Sequence, residues 1–230
     1  MMRPRLPVIA GLAVAAVLAA AAAALYDRLP GAIPTHWGLD GRANGWVAKP
    51  WGPFVYPLMA AGMAALGWLL PVLSPRGFGV SPFARAFDLI VLALVAIPAV
   101  LMAFVIAQAF GVPTAGFRLA PALIGLVLLA IGNVMGKTTR NFFIGVRTPW
   151  TLTSPEVWSR THRLAGRLFV AAGLVFILGA AVGLAPRLML AVVVAAALVP
   201  VAYSYWLYRR LELRSASADT PLDDVVRDEE

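Results

Sequence analysis

The chain has no cysteine, only two histidines and few charged residues for its length of 230 residues. Without thiols it can form neither disulfides nor zinc–thiolate sites, and it has no thiol nucleophile. Only 13% of its residues are charged, whereas soluble domains have about a quarter. Because 61% of the residues are hydrophobic, the composition predicts an integral membrane protein and excludes a water-soluble fold.

Six apolar segments approach the roughly 20 residues that a helix needs to cross about 30 Å of hydrocarbon. They cover residues 6–25, 51–73, 86–110, 119–135, 168–185 and 188–208. Since no water satisfies backbone groups there, each segment is predicted to be helical, and the fold an all-α integral membrane protein with six transmembrane helices. The first segment is longer than a typical signal-peptide core. This favours a retained span, with cleavage of residues 1–25 as the alternative.

Basic residues in the connecting segments predict the orientation. If the N-terminus lies in the cytoplasm, the outside segments contain five basic residues and the inside segments the other 14 of the 19. The five are Arg28, Arg42, Lys49, Arg118 and Arg187. The bias predicts both termini inside, residues 26–50 outside and residues 136–167 inside.

The same segments suggest four units along the chain. Residues 1–75 contain two spans and an external loop, residues 76–136 the third and fourth spans, and residues 137–210 a polar loop with the last two spans. Residues 211–230 are rich in acidic side chains and have no aromatic residue, which predicts a disordered tail. Such a tail either solubilises the chain or docks a basic partner.

Glycines spaced four apart predict close helix approach. One pair is Gly132 and Gly136, and the other is Gly179 and Gly183. In a chain rich in alanine and glycine this pattern is a weak indication.

The external segment LPGAIPTHWGLDGRANGWVAKPWG, residues 29–52, combines prolines, glycines and tryptophans. We expect a compact, ordered loop on the outer membrane face, with its central turn at Asp40 and Gly41. His36 is either structural or a pH sensor, ligand contact or metal ligand. A metal site is poorly supported, because no second histidine or cysteine is nearby. The candidates for contact with an external ligand are Pro34, His36, Trp37, Asp40, Gly41 and Trp46.

The segment RNFFIGVRTPWTLTSPEVWSRTHRLAGRLFV, residues 140–170, gathers aromatic, basic and hydroxyl residues. A helix is predicted to start within it, either with a capping box of Thr153 and Glu156 or with Ser154 as N-cap before Pro155. Trp158, His162 and Ala165 then share one face. Arg160, Arg163 and Arg167 form a neighbouring basic face, as in an amphipathic helix at the cytoplasmic membrane surface.

Residues 141–150 are predicted to fold back under the bundle, because a loop this rich in aromatics must pack to offset its ordering entropy. Arg147 is the predicted pivot, tying several backbone carbonyls at span ends. Trp158 and His162 would cover the loop. Arg160 and Arg163 would remain for lipid phosphates or an acidic partner.

The segment 140–170 closely resembles the signature of the SdpI-type immunity-protein family. The external motif resembles the small domain of unknown function that often precedes it, although Gly38 departs from the polar residue expected there. The resemblance implies a non-enzymatic bacterial membrane protein that protects against a secreted or envelope-active toxic peptide and senses it to sequester a small cytoplasmic DNA-binding repressor. The signature positions are Arg140, Asn141, Phe143, Gly145, Arg147, Thr148, Pro149, Trp150, Trp158, Thr161, His162 and Arg163.

Two other functions remain open. A small-solute or lipid-handling protein would need polar groups in mid-membrane or broken helices, and the sequence offers little beyond Pro98. A membrane hydrolase is less favoured, because the predicted topology places His36 and His162 on opposite faces. We therefore predict no catalytic, cofactor or metal site and no direct nucleic-acid binding; the predicted partners are membrane lipids, the peptide and the repressor.

Overall fold

The computed structural model describes residues 6–37, 43–112 and 116–218, and it is mostly helical. The prediction of an all-α membrane protein is confirmed in that coarse form, with one exception, a two-stranded hairpin. In chain order the elements are α1 (Leu6–Ala24), β1 (Ala32–Trp37), β2 (Ala43–Ala48), α2 (Val55–Leu73), α3 (Ala84–Ala109), α4 (Gly116–Met135), α5 (Pro149–Thr153), α6 (Pro155–Val182) and α7 (Pro186–Ala218).

Five helical segments are long and apolar enough to cross a membrane. They contain α1, α2, α3, α6 and α7. The remaining long helix, α4, has 20 residues, and its part Pro121–Met135 is apolar but shorter than a full span. The chain is therefore a multi-pass membrane protein, and a sixth span remains a prediction.

The apolar side chains form two clusters. The first joins α1, α2, α3 and the hairpin around residues such as Tyr56, Phe87 and Met102, and the second joins α4, α6 and α7 around Phe176 and Met189. The two halves meet where α3 packs against α4. The hairpin thus belongs to the first half and the 140–170 segment to the second.

The α4–α6 pair is held at close range by glycines that face backbone atoms. A Cβ at Gly125 would lie 2.7 Å from the carbonyl oxygen of Gly173, and one at Gly132 would lie 2.8 Å from that of Gly166. The antiparallel helices can approach this closely only because neither carries a side chain at the crossing points. The prediction for Gly132 is confirmed, but it was wrong for Gly183, which lies after α6 as a left-handed C-cap with φ +74°.

The external segment is a β-hairpin, which the sequence analysis did not predict. β1 and β2 are antiparallel, and the pairing shifts between Pro34 and His36. Pro34 has no N–H group to donate to the other strand. Its carbonyl oxygen accepts a hydrogen bond from the buried Tyr56 hydroxyl of α2. This bond and the packing of Gly52 against Ile33 fix the hairpin to the start of α2.

The hairpin and the 140–170 segment lie at opposite ends of the bundle. The hairpin contacts the start of α2. Beyond the other end of α2, the Phe78 ring lies 4.6 Å from the Phe142 ring and under the Arg140 guanidinium. We call these the hairpin end and the signature end.

The last two helices differ from their predicted bounds. α6 begins at Pro155, so the predicted amphipathic helix and fifth span are one continuous helix. α7 runs to Ala218, so residues 211–218, assigned to a disordered tail, are helical instead. The ion pair between Arg209 and Glu212, 3.5 Å long and one helical turn apart, favours this extension. The rest of the predicted tail lies outside the described residues.

Candidate functional site

Asn141 organises the loop of residues 136–148, which we call the signature loop. The Asn141 side chain is fully buried. Its oxygen accepts hydrogen bonds from the backbone N–H groups of Phe143 (2.9 Å) and Ile144 (2.7 Å). Its amide nitrogen donates to the carbonyl oxygens of Thr139 (2.9 Å) and Ile144 (3.2 Å). One side chain thus satisfies four backbone groups of a tight turn that has no secondary structure of its own.

Trp158 and His162 of α6 clamp this loop from the side. The Trp158 indole N–H donates to the carbonyl oxygen of Thr138 at 2.9 Å. His162 Nε2 accepts the backbone N–H of Val146 at 3.0 Å, so the ring proton is on Nδ1, which donates to the Trp158 carbonyl oxygen at 2.8 Å. The two rings stack at 3.9 Å and are buried. The prediction that they cover the loop is confirmed.

Gly145 lets the loop approach His162. Its φ of +107° is rarely adopted by residues with a side chain. A Cβ there would lie 2.1 Å from His162 Nε2. Glycine is therefore required at this position both for the backbone angle and for the space occupied by the imidazole.

α5 closes the far side of the loop through two threonines. The Thr148 hydroxyl accepts from the Thr151 backbone N–H, the Thr151 hydroxyl accepts from the Thr148 backbone N–H, and Pro149 occupies the first turn. This is a capping box with threonine in the place of the usual glutamate. The Thr151 hydroxyl also donates to the Val146 carbonyl oxygen at 2.8 Å, which joins the cap to the loop.

Trp150 connects α5 to the last helix. Its indole N–H donates to the hydroxyl of Ser204 at 2.5 Å, and its ring lies edge-on to that of Tyr205 at 5.2 Å. Ser204 is fully buried. The signature loop, α5, α6 and α7 are thus held as one unit, and Ser204 is a member of the site that lies well outside the segment 140–170.

The assignment of Arg147 as pivot was wrong. Its side chain is exposed, and its guanidinium donates to one carbonyl oxygen, that of Phe142, at 2.6 Å within the same loop. Arg140 has the role expected of Arg147. It donates to the carbonyl oxygens of Leu152 (3.1 Å) and Thr153 (3.4 Å) at the end of α5.

The start of α6 resolves the two capping alternatives. Ser154 is the N-cap and accepts the Val157 N–H at 3.3 Å. Glu156 pairs instead with Arg160 at 2.6 Å, and both side chains are about half exposed. Arg163 is exposed. Thr161 is fully buried, and its hydroxyl has no hydrogen-bond partner in the part of the chain that the structure describes.

The candidates for contact with an external ligand that the structure describes lie at the hairpin end. Pro34 is buried, whereas His36 and Trp46 are exposed. The His36 Nδ1 atom lies 2.5 Å from Asn44 Oδ1, a partner that the sequence analysis did not identify. Asp40, Gly41 and the side chain of Trp37 lie outside what the structure describes.

The polar side chains of the signature end bind mostly backbone groups. Among the described residues no three His, Asp or Glu side chains are grouped as metal ligands would be. His36 and His162 belong to opposite ends, and both nitrogens of His162 already have backbone partners. The signature residues therefore hold a loop against three helices.

Two family models match the chain. Residues 137–204 match the SdpI/YfhL protein family, and residues 12–61 match a domain of unknown function, DUF1648. The resemblance to the SdpI/YfhL family is confirmed. The SdpI/YfhL segment begins within the signature loop, at residue 137, and ends at Ser204, the partner of Trp150. It therefore covers the unit formed by this loop, α5, α6 and most of the length of α7 up to Ser204. DUF1648 covers most of α1, the hairpin and the start of α2.

The chain is also similar over most of its length to a curated relative. It is 25% identical over 192 residues to the immunity protein SdpI of Bacillus subtilis (strain 168). The aligned region covers 81% of this chain and 88% of the relative. No solved structure matches. This similarity and the five apolar helices establish a multi-pass bacterial membrane protein that resembles an immunity protein.

Proposed function

We propose that this protein is a non-enzymatic membrane protein that protects a bacterium from a secreted or envelope-active peptide. The similarity to a relative named an immunity protein, which covers 81% of this chain, carries the proposal. The two family models, which match the hairpin and the signature loop, support it. The described polar side chains of the signature end bind mostly backbone groups, as a structural role for this unit requires.

The direct test is protection. The chain is expressed in a Bacillus subtilis strain 168 derivative that lacks SdpI, and survival is measured beside cells that secrete the toxic peptide. We expect survival above that of the empty-vector strain, with membrane accumulation checked by immunoblot. Normal accumulation without any gain in survival would contradict protection against that peptide.

Six spans with both termini in the cytoplasm are the topology we propose. The charge bias supports it, as does the separation of the hairpin and signature ends by α2. Because the chain has no cysteine, single variants Asn44→Cys and Thr153→Cys report each end. A membrane-impermeant maleimide should label the first variant in intact cells and the second only after permeabilisation. The reverse result would invert the orientation.

The hairpin is the surface that we propose meets the peptide. The exposed His36–Asn44 pair and the indole of Trp46, 56% exposed, offer a polar and an aromatic contact side by side on two strands. Aromatic side chains contribute strongly to binding interfaces. Trp46→Ala should lower protection without lowering accumulation. Trp51→Ala is the matched control, because Trp51 is 76% exposed and lies beyond the strands. Equal losses would argue for general membrane anchoring by tryptophan.

Capture of a cytoplasmic repressor is the finer part of the proposal. The exposed side chains of Phe142 and Arg147 at the signature end support it, because they neither form the core nor clamp the loop. A Phe142→Ser variant should then keep protection and lose co-purification of a small DNA-binding protein from the native host. Loss of protection as well would assign Phe142 to the fold.

A further inference from the structure

One side of α6 forms a continuous exposed stripe that changes from basic to apolar along the helix. Its basic part contains Arg160, Arg163 and Arg167, and its apolar part contains Ala171, Leu174 and Leu178. At about 100° per residue these six positions fall within an arc of about 80°. Leu174 and Leu178 are 49% and 66% exposed, so neighbouring helices leave this stripe uncovered.

The arginines of the stripe differ in their partners. Arg160 forms an ion pair with Glu156 at 2.6 Å. Arg163 and Arg167 form no ion pair with any described residue, and both side chains are exposed. Two adjacent positive charges therefore lack an anionic partner within the described chain. Because they lie one helical turn apart, they repel each other, and an anion bound between them would relieve this repulsion.

The end of α4 lies beside the basic part of this stripe. Gly136 lies against the Arg163 stem, since a Cβ at Gly136 would be 3.1 Å from Arg163 Cγ. Lys137, the next residue, is exposed and forms no ion pair in the part of the chain that the structure describes. The missing side chain at Gly136 thus brings the Arg163 stem against the end of α4, beside a third basic residue.

The length of α6 sets the depth of these charges. With 28 residues it extends about 42 Å, roughly 12 Å more than the hydrocarbon layer. If α6 leaves the far side of the membrane at Val182, Arg163 lies at the hydrocarbon edge and Arg167 about one turn inside. Long arginine stems reach outward from there to the phosphate layer. The apolar stripe then runs along the acyl chains.

We propose that an anionic phospholipid binds here, with its phosphate between Lys137, Arg163 and Arg167 and one acyl chain along Ala171, Leu174 and Leu178. The charge complementarity and the change from basic to apolar at the hydrocarbon edge both fit a lipid. A free anion would use only the basic part. The site lies against α4 and α6, the pair that holds the signature loop, and it depends neither on the immunity function nor on which membrane face this end meets.

The test compares lipid retention by native mass spectrometry. The intact chain is purified in detergent and supplied with equal amounts of phosphatidylglycerol and phosphatidylcholine. We expect the wild type to retain phosphatidylglycerol preferentially. The double variant Arg163→Gln/Arg167→Gln should weaken its apparent affinity by at least about tenfold, as expected for two basic residues at an anionic surface.

The control is Arg209→Gln/Arg210→Gln, which removes the same charge from α7. Arg209 pairs with Glu212, and Arg210 lies over the Trp206 ring, so this variant should retain phosphatidylglycerol. An equal loss of phosphatidylglycerol in both double variants would show that retention depends only on the net charge of the protein, and it would overturn the proposed site. Retention of phosphatidylglycerol by the Arg163/Arg167 variant would also overturn it.

Two further measurements separate lipid binding from capture of a soluble anion and from misfolding of the variant. sn-Glycerol 3-phosphate should neither bind to the protein nor displace the lipid. If this soluble headgroup binds as strongly as the lipid, the ligand of the site is a free phosphate ester and the lipid proposal is wrong. If the double variant does not fold, Arg167→Gln alone is compared with Arg167→Lys. The lysine variant should keep phosphatidylglycerol and the glutamine variant lose part of it, and equal retention by both would refute the assignment.

Discussion

Replacement of Gly145 by alanine should destabilise the protein more than the backbone angle alone explains. Gly145 and Gly77 both have positive φ, +107° and +85°. A Cβ at Gly145 would meet His162 Nε2 at 2.1 Å, whereas one at Gly77 would meet nothing within 4 Å. Gly77→Ala is therefore the matched control, because it introduces backbone strain without a new contact.

The magnitudes can be separated into three parts. Backbone strain should cost about 1–3 kcal/mol in both variants. Gly145→Ala adds overpacking against a buried ring, about 1–3 kcal/mol. It also displaces His162 Nε2 from the Val146 N–H, and the unpaired group costs about 1–3 kcal/mol. The stacking of His162 on Trp158 and its bond to the Trp158 carbonyl limit how far the ring can move. The expected difference between the two variants is therefore at least about 2 kcal/mol.

The assay is reversible unfolding of purified protein, followed by tryptophan fluorescence. Trp150 and Trp158 both lie in the clamped unit and report its loss. The double variant Gly145→Ala/His162→Ala should recover part of the overpacking cost, which a double-mutant cycle measures. Equal destabilisation by Gly145→Ala and Gly77→Ala would refute the reasoning, because it would show that His162 is not fixed against the loop.

Three other variants test the rest of the architecture. Asn141→Ala should cost about 3 kcal/mol or more of unfolding free energy, because four backbone groups lose their partner. Asn141→Asp keeps the two accepted bonds but brings a carboxylate oxygen against the carbonyl oxygens of Thr139 and Ile144, so it should destabilise as well; wild-type stability of the Asp variant would contradict the assigned amide orientation. Arg140→Gln should lower stability more than Arg147→Gln, by about 1 kcal/mol, since Arg140 alone reaches α5; the opposite order would restore Arg147 as the pivot. Gly132→Ala should destabilise the protein by about 1–3 kcal/mol, because its Cβ would meet a carbonyl oxygen. Gly62→Ala has open space and should be neutral or stabilising. Both are compared by thermal unfolding, and equal stability of the two variants would contradict the close approach of α4 and α6.

The hairpin shows why part of the fold was missed in the sequence. The prolines and glycines of residues 29–52 predicted a compact loop without regular secondary structure, because both residue types interrupt strands and helices. In the structure Pro34 is accommodated at a strand position where its carbonyl oxygen binds Tyr56 of α2. That partner is 22 positions away and comes into reach only after α2 has packed. Strand pairing in a short segment depends more on such contacts than on local propensity.

The two arginines of the signature loop illustrate the same limit within the site. Both have side chains able to bind several carbonyls, and residue chemistry alone favours neither. The turn around Asn141 brings Arg140 to the end of α5 and leaves Arg147 at the surface. Ser204 is a similar case, because a serine in an apolar helix shows its role only when Trp150 is placed beside it.

The sequence by itself determined that this is a multi-pass membrane protein, where most of its helices lie, and that residues 140–170 form a specialised unit. These features follow from local composition and periodicity, because a lipid environment requires every spanning segment to satisfy its own backbone. Only the tertiary structure showed the β-hairpin and the close approach of Gly125 to Gly173. It also showed that Arg140, and not Arg147, binds the end of α5, and that Ser204 belongs to the site. Each of these depends on contacts between separate elements of the fold, which form only when α2, α4, α5, α6 and α7 have packed.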